Sequence, residues 1–255
     1  MTLRSLVRRH PVVVAVAAAA AQFLLTILIL KAGMAWLPPD HFGQVKLAAF
    51  ASTVLWPLLL VFALGLTRDA GLWPPSARAT PLFWISLLAG LVFLVAGVQV
   101  PPGRSPLGEL AMQVVNAFGE ELLFRGVIFA LLLGLPRWQG VVLSGLLFGS
   151  MHLIHGVMDG DWAHAALWAA GSSAAGMMFA AVRYATGSLW LVVILHMFIN
   201  LCMIFSNIEP TLGEAVLTSV ERGVNLFELL IAATVALGSA RWILPSSDDS
   251  GRSAT

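Results

Sequence analysis

Three short stretches carry the side chains that could do chemistry. The first is FGEELLFRG, residues 118–126, inside an apolar run from Leu110 to Leu135. Its charges, Glu120, Glu121 and Arg125, would each cost about 2.5–3.5 kcal/mol at the middle of a bilayer. The second is FGSMHLIHG, with Phe148, His152 and His155. The third is HMFIN, with His196 and Asn200. Residues four apart share a helix face. Glu121 and Arg125 have that spacing, acid first, and are expected to pair. Glu120 lies about 100° round the helix and is left to face elsewhere. Phe148 with His152, and His196 with Asn200, repeat the spacing. A carboxylate sheltered from water is a stronger general base. A nearby imidazole can hold and deprotonate a water. An imidazole and an amide on a facing helix can donate hydrogen bonds to a developing oxyanion. These are the parts for water attack on an amide carbonyl, with no serine, cysteine or threonine nucleophile.

Such groups need helices to bring them together. Eight apolar segments, each near the ~20 residues that a bilayer requires, fall at 12–30, 47–66, 82–100, 110–135, 139–158, 162–183, 188–206 and 223–242. Rising 1.5 Å per residue from the cytoplasmic ends, His196 lies about 12 Å deep, Glu120 about 15–20 Å, Asn200 about 18 Å and His152 about 20 Å. One cavity between spans four, five and seven would satisfy all four. Prolines punctuate the loops, and Pro57 alone falls inside a span, where a kink is expected. Trp36, Trp73, Trp138, Trp162, Trp190 and Trp242 fall near span ends, as an aromatic belt would.

Composition sets the class. Of 255 residues, 59% are hydrophobic and 11% charged, against about 25% charged in a soluble domain. The chain is expected to be an all-α polytopic membrane bundle of about eight helices. It reads as one domain over residues 1–245, with a motif core at 110–206 and a disordered polar tail at 246–255. The lone cysteine, Cys202, excludes an internal disulfide and any multi-cysteine metal site. No basic block suggests nucleic acid as a partner; the expected partners are the bilayer and a peptide or membrane-protein substrate. The basic N-terminus precedes a run too long for a signal peptide, so a retained first span is expected. Arg4, Arg8, Arg9, Arg68, Arg78, Arg137, Arg183, Arg241 and Arg252 outnumber Lys31, Lys46, Arg104 and Arg222 on the other side. With an even number of spans, that imbalance favours both termini in the cytoplasm of a plasma (inner) membrane protein.

The three stretches together resemble the motifs of the CAAX prenyl protease and bacteriocin-processing family, known as CPBP or Abi. EELLFR (Glu120–Arg125) is similar to its paired-glutamate-and-arginine motif. FGSMH matches its aromatic-then-histidine motif, and HMFIN its histidine-then-asparagine motif. TGSLW (Thr186–Trp190) is also typical. The order is right and no key position departs. The resemblance implies an intramembrane endopeptidase. In it, Glu120 would activate water with help from His152, and His196 and Asn200 would form the oxyanion hole. Glu121 and Arg125 would hold the geometry, and Phe148 would pack against the cavity. It leaves the metal open: a metal-free mechanism is one form, and a divalent ion such as zinc on Glu120, His152 and His196 is the other. No HExxH is present. The implied substrates are bacteriocin-like peptides, matured or neutralised, or a membrane-anchored protein.

Each residue also has a plainer reading. Glu121 is structural first. His196 and Asn200 could bridge helices. His155 lies outside the motif and is expected to be structural or water-facing. Asn116 could orient Glu120 through a hydrogen bond or merely cap a backbone group. Glu228, in the last span, could snorkel or pair with Arg222. His10, His41 and His164 sit near span ends and are expected in water. GSSAAG (Gly171–Gly176) is expected to be a close-packing face, not a serine site. Two other functions compete: an ion-coupled transporter with titrating Glu and His, and a non-catalytic scaffold or regulator of the same family. Discontinuous spans would favour the transporter, and spans four, five and seven contain no proline.

Overall fold

The structure is a computed structural model and describes residues 9–72 and 79–238. The tail at 246–255, with Arg4, Arg8, Arg78, Arg241, Arg252, Trp73 and Trp242, lies outside the described residues. Within them the fold is all-α; a single antiparallel bridge joins Val98 and Ser206. Helix falls within each of the eight expected ranges, but in 82–100 only as short pieces ending at Leu94, and 223–242 is described only to residue 238. The elements are α1 (Pro11–Trp36), α2 (Phe42–Leu64), α3 (Pro81–Ser86), α4 (Leu88–Leu91), α5 (Pro106–Glu121), α6 (Phe129–Leu132), α7 (Arg137–Ser150), α8 (Ile154–Asp159), α9 (Trp162–Thr186), α10 (Leu189–Ile204), α11 (Ile208–Leu212) and α12 (Glu214–Leu237).

Four helical segments are long and apolar enough to cross a membrane: Pro11–Trp36, Pro39–Leu64, Arg137–Asp159 and Trp162–Thr186. Their outward faces are greasy. Leu24, Leu28, Leu59 and Phe62 stand exposed on α1 and α2, and Leu226 and Leu230 on α12. So many exposed large apolar side chains on long apolar helices are rare in a monomeric soluble protein. The chain is a membrane protein.

Local sequence explains where the helices turn. Pro106 opens α5, and the Ser105 hydroxyl accepts from the Gly108 amide. In Thr186-Gly187-Ser188, Gly187 takes φ 67° and ends α9, and the Ser188 hydroxyl caps α10 by accepting from the Leu191 amide. Those two residues reverse the chain and lay α10 beside α9. Small residues then set the approach of α7 to α9. A Cβ at Gly145 would meet Met177 and the Ser173 carbonyl, and one at Gly149 would meet Ser173 and Ala169. The Ser173 hydroxyl is tied to the Ala169 carbonyl. GSSAAG is thus a packing face. On the other side of the bundle, Gly119 sits against Thr53 of α2, which seats α5 next to Glu120.

The span at 82–100 is broken into short helices, and two of the motif-bearing spans are not continuous α-helix either. Between α5 and α6, Leu122–Ile128 forms a π-helical turn. Between α7 and α8, Met151–Leu153 forms a 3-10 turn. Neither needs a proline, so the absence of proline did not predict continuity. Both fall on motif residues, where π and 3-10 irregularities commonly mark function.

Two expectations about charged residues change. Glu228 neither snorkels nor pairs with Arg222. It is 2% exposed, and one carboxylate oxygen has no partner among the described residues. Arg183, counted above with the cytoplasmic charges, is 6% exposed. The helix runs on to Thr186, so Arg183 is in its last turn and turned inward.

Candidate active site

The acid helix α5 and the histidine helix α10 pack together. Glu121 and Arg125 pair as their spacing predicts, with Arg125 Nη1 3.0 Å from Glu121 Oε1 and both side chains wholly buried. Arg125 reaches further. Its Nη2 donates to the Gly176 carbonyl at 2.7 Å. Gly176 belongs to the small-residue face, and a Cβ there would meet Phe148 and Gly145. The guanidinium also lies 4.5 Å over the Phe148 ring and 5.2 Å over that of Phe179. A charge this deep is held by a carboxylate, a carbonyl and two aromatic faces.

Glu121 has a second task. Its Oε1 is 2.8 Å from His196 Nδ1. A carboxylate only accepts, so Nδ1 carries the proton. That leaves Nε2 as the working nitrogen, and it lies 3.7 Å from Glu120 Oε2. Glu120 forms no ion pair with Arg125 among the described residues and keeps 24% of its side chain open. Phe179 stacks on the His196 ring at 4.9 Å. Acid, acid, arginine and histidine form one connected cluster.

Phe148 is the hub. Its ring meets Phe124, His152 and His196 edge-on, with centroids 5.2, 5.4 and 5.8 Å apart. His152 thus reaches the cluster through Phe148; no hydrogen bond joins it to Glu120 among the described residues, and its buried Nδ1 has no partner. Asn200 sits one turn from His196, and its amide donates to Gln113 Oε1 at 2.8 Å. Buried polar atoms of Asn116, Glu121, Arg125 and His152 also lack partners among the described residues. Asn116 makes no hydrogen bond to Glu120 there. Buried polar groups of this kind usually bind ordered water. A cavity of about 270 Å³ lies elsewhere, lined by Gln99, Met203, Ser206 and Glu209 among others.

Three participants were not foreseen. Gln113 lies seven residues before Glu120, on the same face of α5, and that spacing could have found it. Phe179 and the Gly176 carbonyl gave no signal, because apolar helix positions look alike. His155 stacks on Trp168 at 4.2 Å, with its Nδ1 3.8 Å from Asp159. His164 caps nothing itself; its amide donates to Asp161 at the start of α9.

A metal needs at least three donors converging on one point. Among the described residues no three His, Cys, Asp or Glu side chains are so arranged. His196 Nδ1 is engaged by Glu121, and His152 stands apart from Glu120. The residues in this arrangement do not fit a metal, and no step below passes through one.

Neither the curated proteins nor the solved structures give a match to the chain. A family model does. Residues 102–202 match the type II CAAX prenyl endopeptidase Rce1-like family. The match runs through α5, the π turn, α7, α8, α9 and most of α10, and includes every residue of the cluster. Over residues 102–202, less than half of its length, the chain is thus similar to the Rce1-like type II CAAX prenyl endopeptidase family.

Proposed function

We propose that the protein is an intramembrane endopeptidase that hydrolyses a peptide bond in a peptide or membrane-anchored protein. The observation that carries the reading is the chain of contacts from Arg125 through Glu121 to His196, which leaves Glu120 facing His196 Nε2. Glu120 takes a proton from water as the oxygen attacks the carbonyl carbon. His152, whose ring meets Phe148 edge-on, is the second residue assigned to hold that water. The oxyanion then forms beside His196 and Asn200, which donate to it. With Nδ1 held by Glu121, the nitrogen His196 offers to the oxyanion is Nε2. Glu120 finally passes its proton to the leaving amine as the C–N bond breaks. Both termini lie in the cytoplasm of a plasma membrane protein, on the balance of positive charge.

The broken spans also fit an ion-coupled transporter, whose sites sit at discontinuous helices. The two readings separate cleanly. The purified protein in detergent is expected to cleave members of a quenched-fluorescence peptide library, soluble or lipid-anchored, and to do so equally after treatment with a strong zinc chelator. No cleavage of any member, together with proton-coupled flux in proteoliposomes, would favour transport. Cleavage abolished by the chelator and restored by zinc would overturn the metal-free mechanism.

Gln113 supplies a finer test. Gln113→Leu removes the acceptor that aims the Asn200 amide. A lost hydrogen bond of this kind is expected to lower kcat about tenfold, with KM little changed, in the same peptide assay.

A further inference from the structure

We propose that Arg183 is a positioning residue of the active site, clasping the segment Leu66–Leu72 to the backbone of Arg125 so that the two hold each other in place. The claim deepens the peptidase reading and rests on it for its kinetic test. Arg183 lies outside all three motifs. Its Nε donates to the Arg125 carbonyl at 3.3 Å, and its Nη2 donates to the Asp69 carbonyl at 2.9 Å. Its guanidinium also lies 5.4 Å over the Phe129 ring, just past the π turn. No carboxylate forms an ion pair with it among the described residues. A buried arginine is costly in a membrane protein and here its donors are directed at main chain. Among the described residues it is the one whose two side-chain hydrogen bonds join the π turn to this segment.

The segment is built to receive it. Gly71 has φ 73°, and a Cβ there would stand 2.6 Å from Arg183 Nη2. A side chain at 71 would be strained and would also displace the guanidinium. Ala70 is fully buried, with its carbonyl and methyl against Gly126, the residue after Arg125. A second anchor comes from the histidine helix. Trp190 Nε1 donates to the Leu72 carbonyl at 2.9 Å. The Trp190 ring stacks at 5.4 Å on Phe118, two residues before Glu120. The segment thus touches the arginine turn through Arg183 and Ala70, and touches the helix of His196 and Asn200 through Trp190. A shift of the segment would move Arg125, and with it the Glu121 carboxylate that orients His196.

Lysine keeps the charge at 183 but replaces two divergent N–H donors with one compact head group. The test uses the full chain in detergent as wild type, Arg183→Lys and Gly71→Ala, the second attacking the clasp from its other side. Hydrogen–deuterium exchange and peptide cleavage are both measured. Both variants are expected to raise exchange in residues 66–72 and 122–128 together, with α12 unchanged. Both are expected to lower kcat about tenfold or more while KM stays within about twofold. Uniform exchange increase across the bundle, or loosening of only one segment, would overturn the proposal, as would a wild-type kcat in either variant. If wild type cleaves nothing, the peptidase reading fails, and the exchange pattern still decides whether Arg183 couples the two segments.

Discussion

Glu120→Gln is expected to lower kcat for peptide cleavage by at least about a hundredfold, the usual scale for a positioned general base. Glutamine keeps the size and hydrogen-bonding shape of the side chain but cannot take a proton from water. The change should leave KM and thermal stability close to wild type, because Glu120 forms no hydrogen bond among the described residues and keeps part of its surface open. Glu121→Gln is a different experiment. Glu121 is engaged by both Arg125 and His196, so its loss should disturb structure and rate together. Cleavage by Glu120→Gln at the wild-type rate would sink the assignment of the base.

The largest stability effect is expected from Arg125→Ala. Breaking a buried ion pair by removing one partner costs about 3–5 kcal/mol, because the other charge stays buried without compensation. Here the group left behind is Glu121, with zero exposure and only the contact to His196 Nδ1 remaining to it. The Gly176 carbonyl and the Phe148 and Phe179 faces would also lose their cation. Denaturation in detergent should show the drop directly. A double replacement, Glu121→Leu with Arg125→Met, should recover much of it, since well-packed apolar residues often replace a buried pair without loss. Activity should not return, because His196 Nδ1 has then lost the carboxylate that holds it. The pair would thus be required for geometry and not for stability as such. A wild-type melting point for Arg125→Ala would mean that the pair does not hold the bundle.

Much of the local chemistry was legible beforehand because it depends only on helix geometry. The Glu121–Arg125 pair, the divergence of Glu120 and the packing role of GSSAAG follow from residues three or four apart or from small side chains in lipid. What stayed hidden lies across long sequence gaps. Arg125 ends on the Gly176 carbonyl, Asn200 on Gln113, and Arg183 on Asp69 and Arg125. A backbone carbonyl has no side-chain signature. The π turn is a hydrogen-bond shift that apolar residues permit as readily as a regular helix. Arg183 looked like a flanking cytoplasmic charge because a helix end and a loop cannot be separated to within a turn by composition.

By itself the sequence determined that this is an all-helical membrane protein and which few polar side chains must find one another inside it. Apolar composition and the cost of charge in lipid are enough for that. Only the tertiary structure decided that Glu121 is shared between Arg125 and His196, that His152 stands behind Phe148, and that a segment between α2 and α3 braces the arginine turn. Those outcomes depend on the relative rotation and depth of separate helices, which packing sets and local spacing does not.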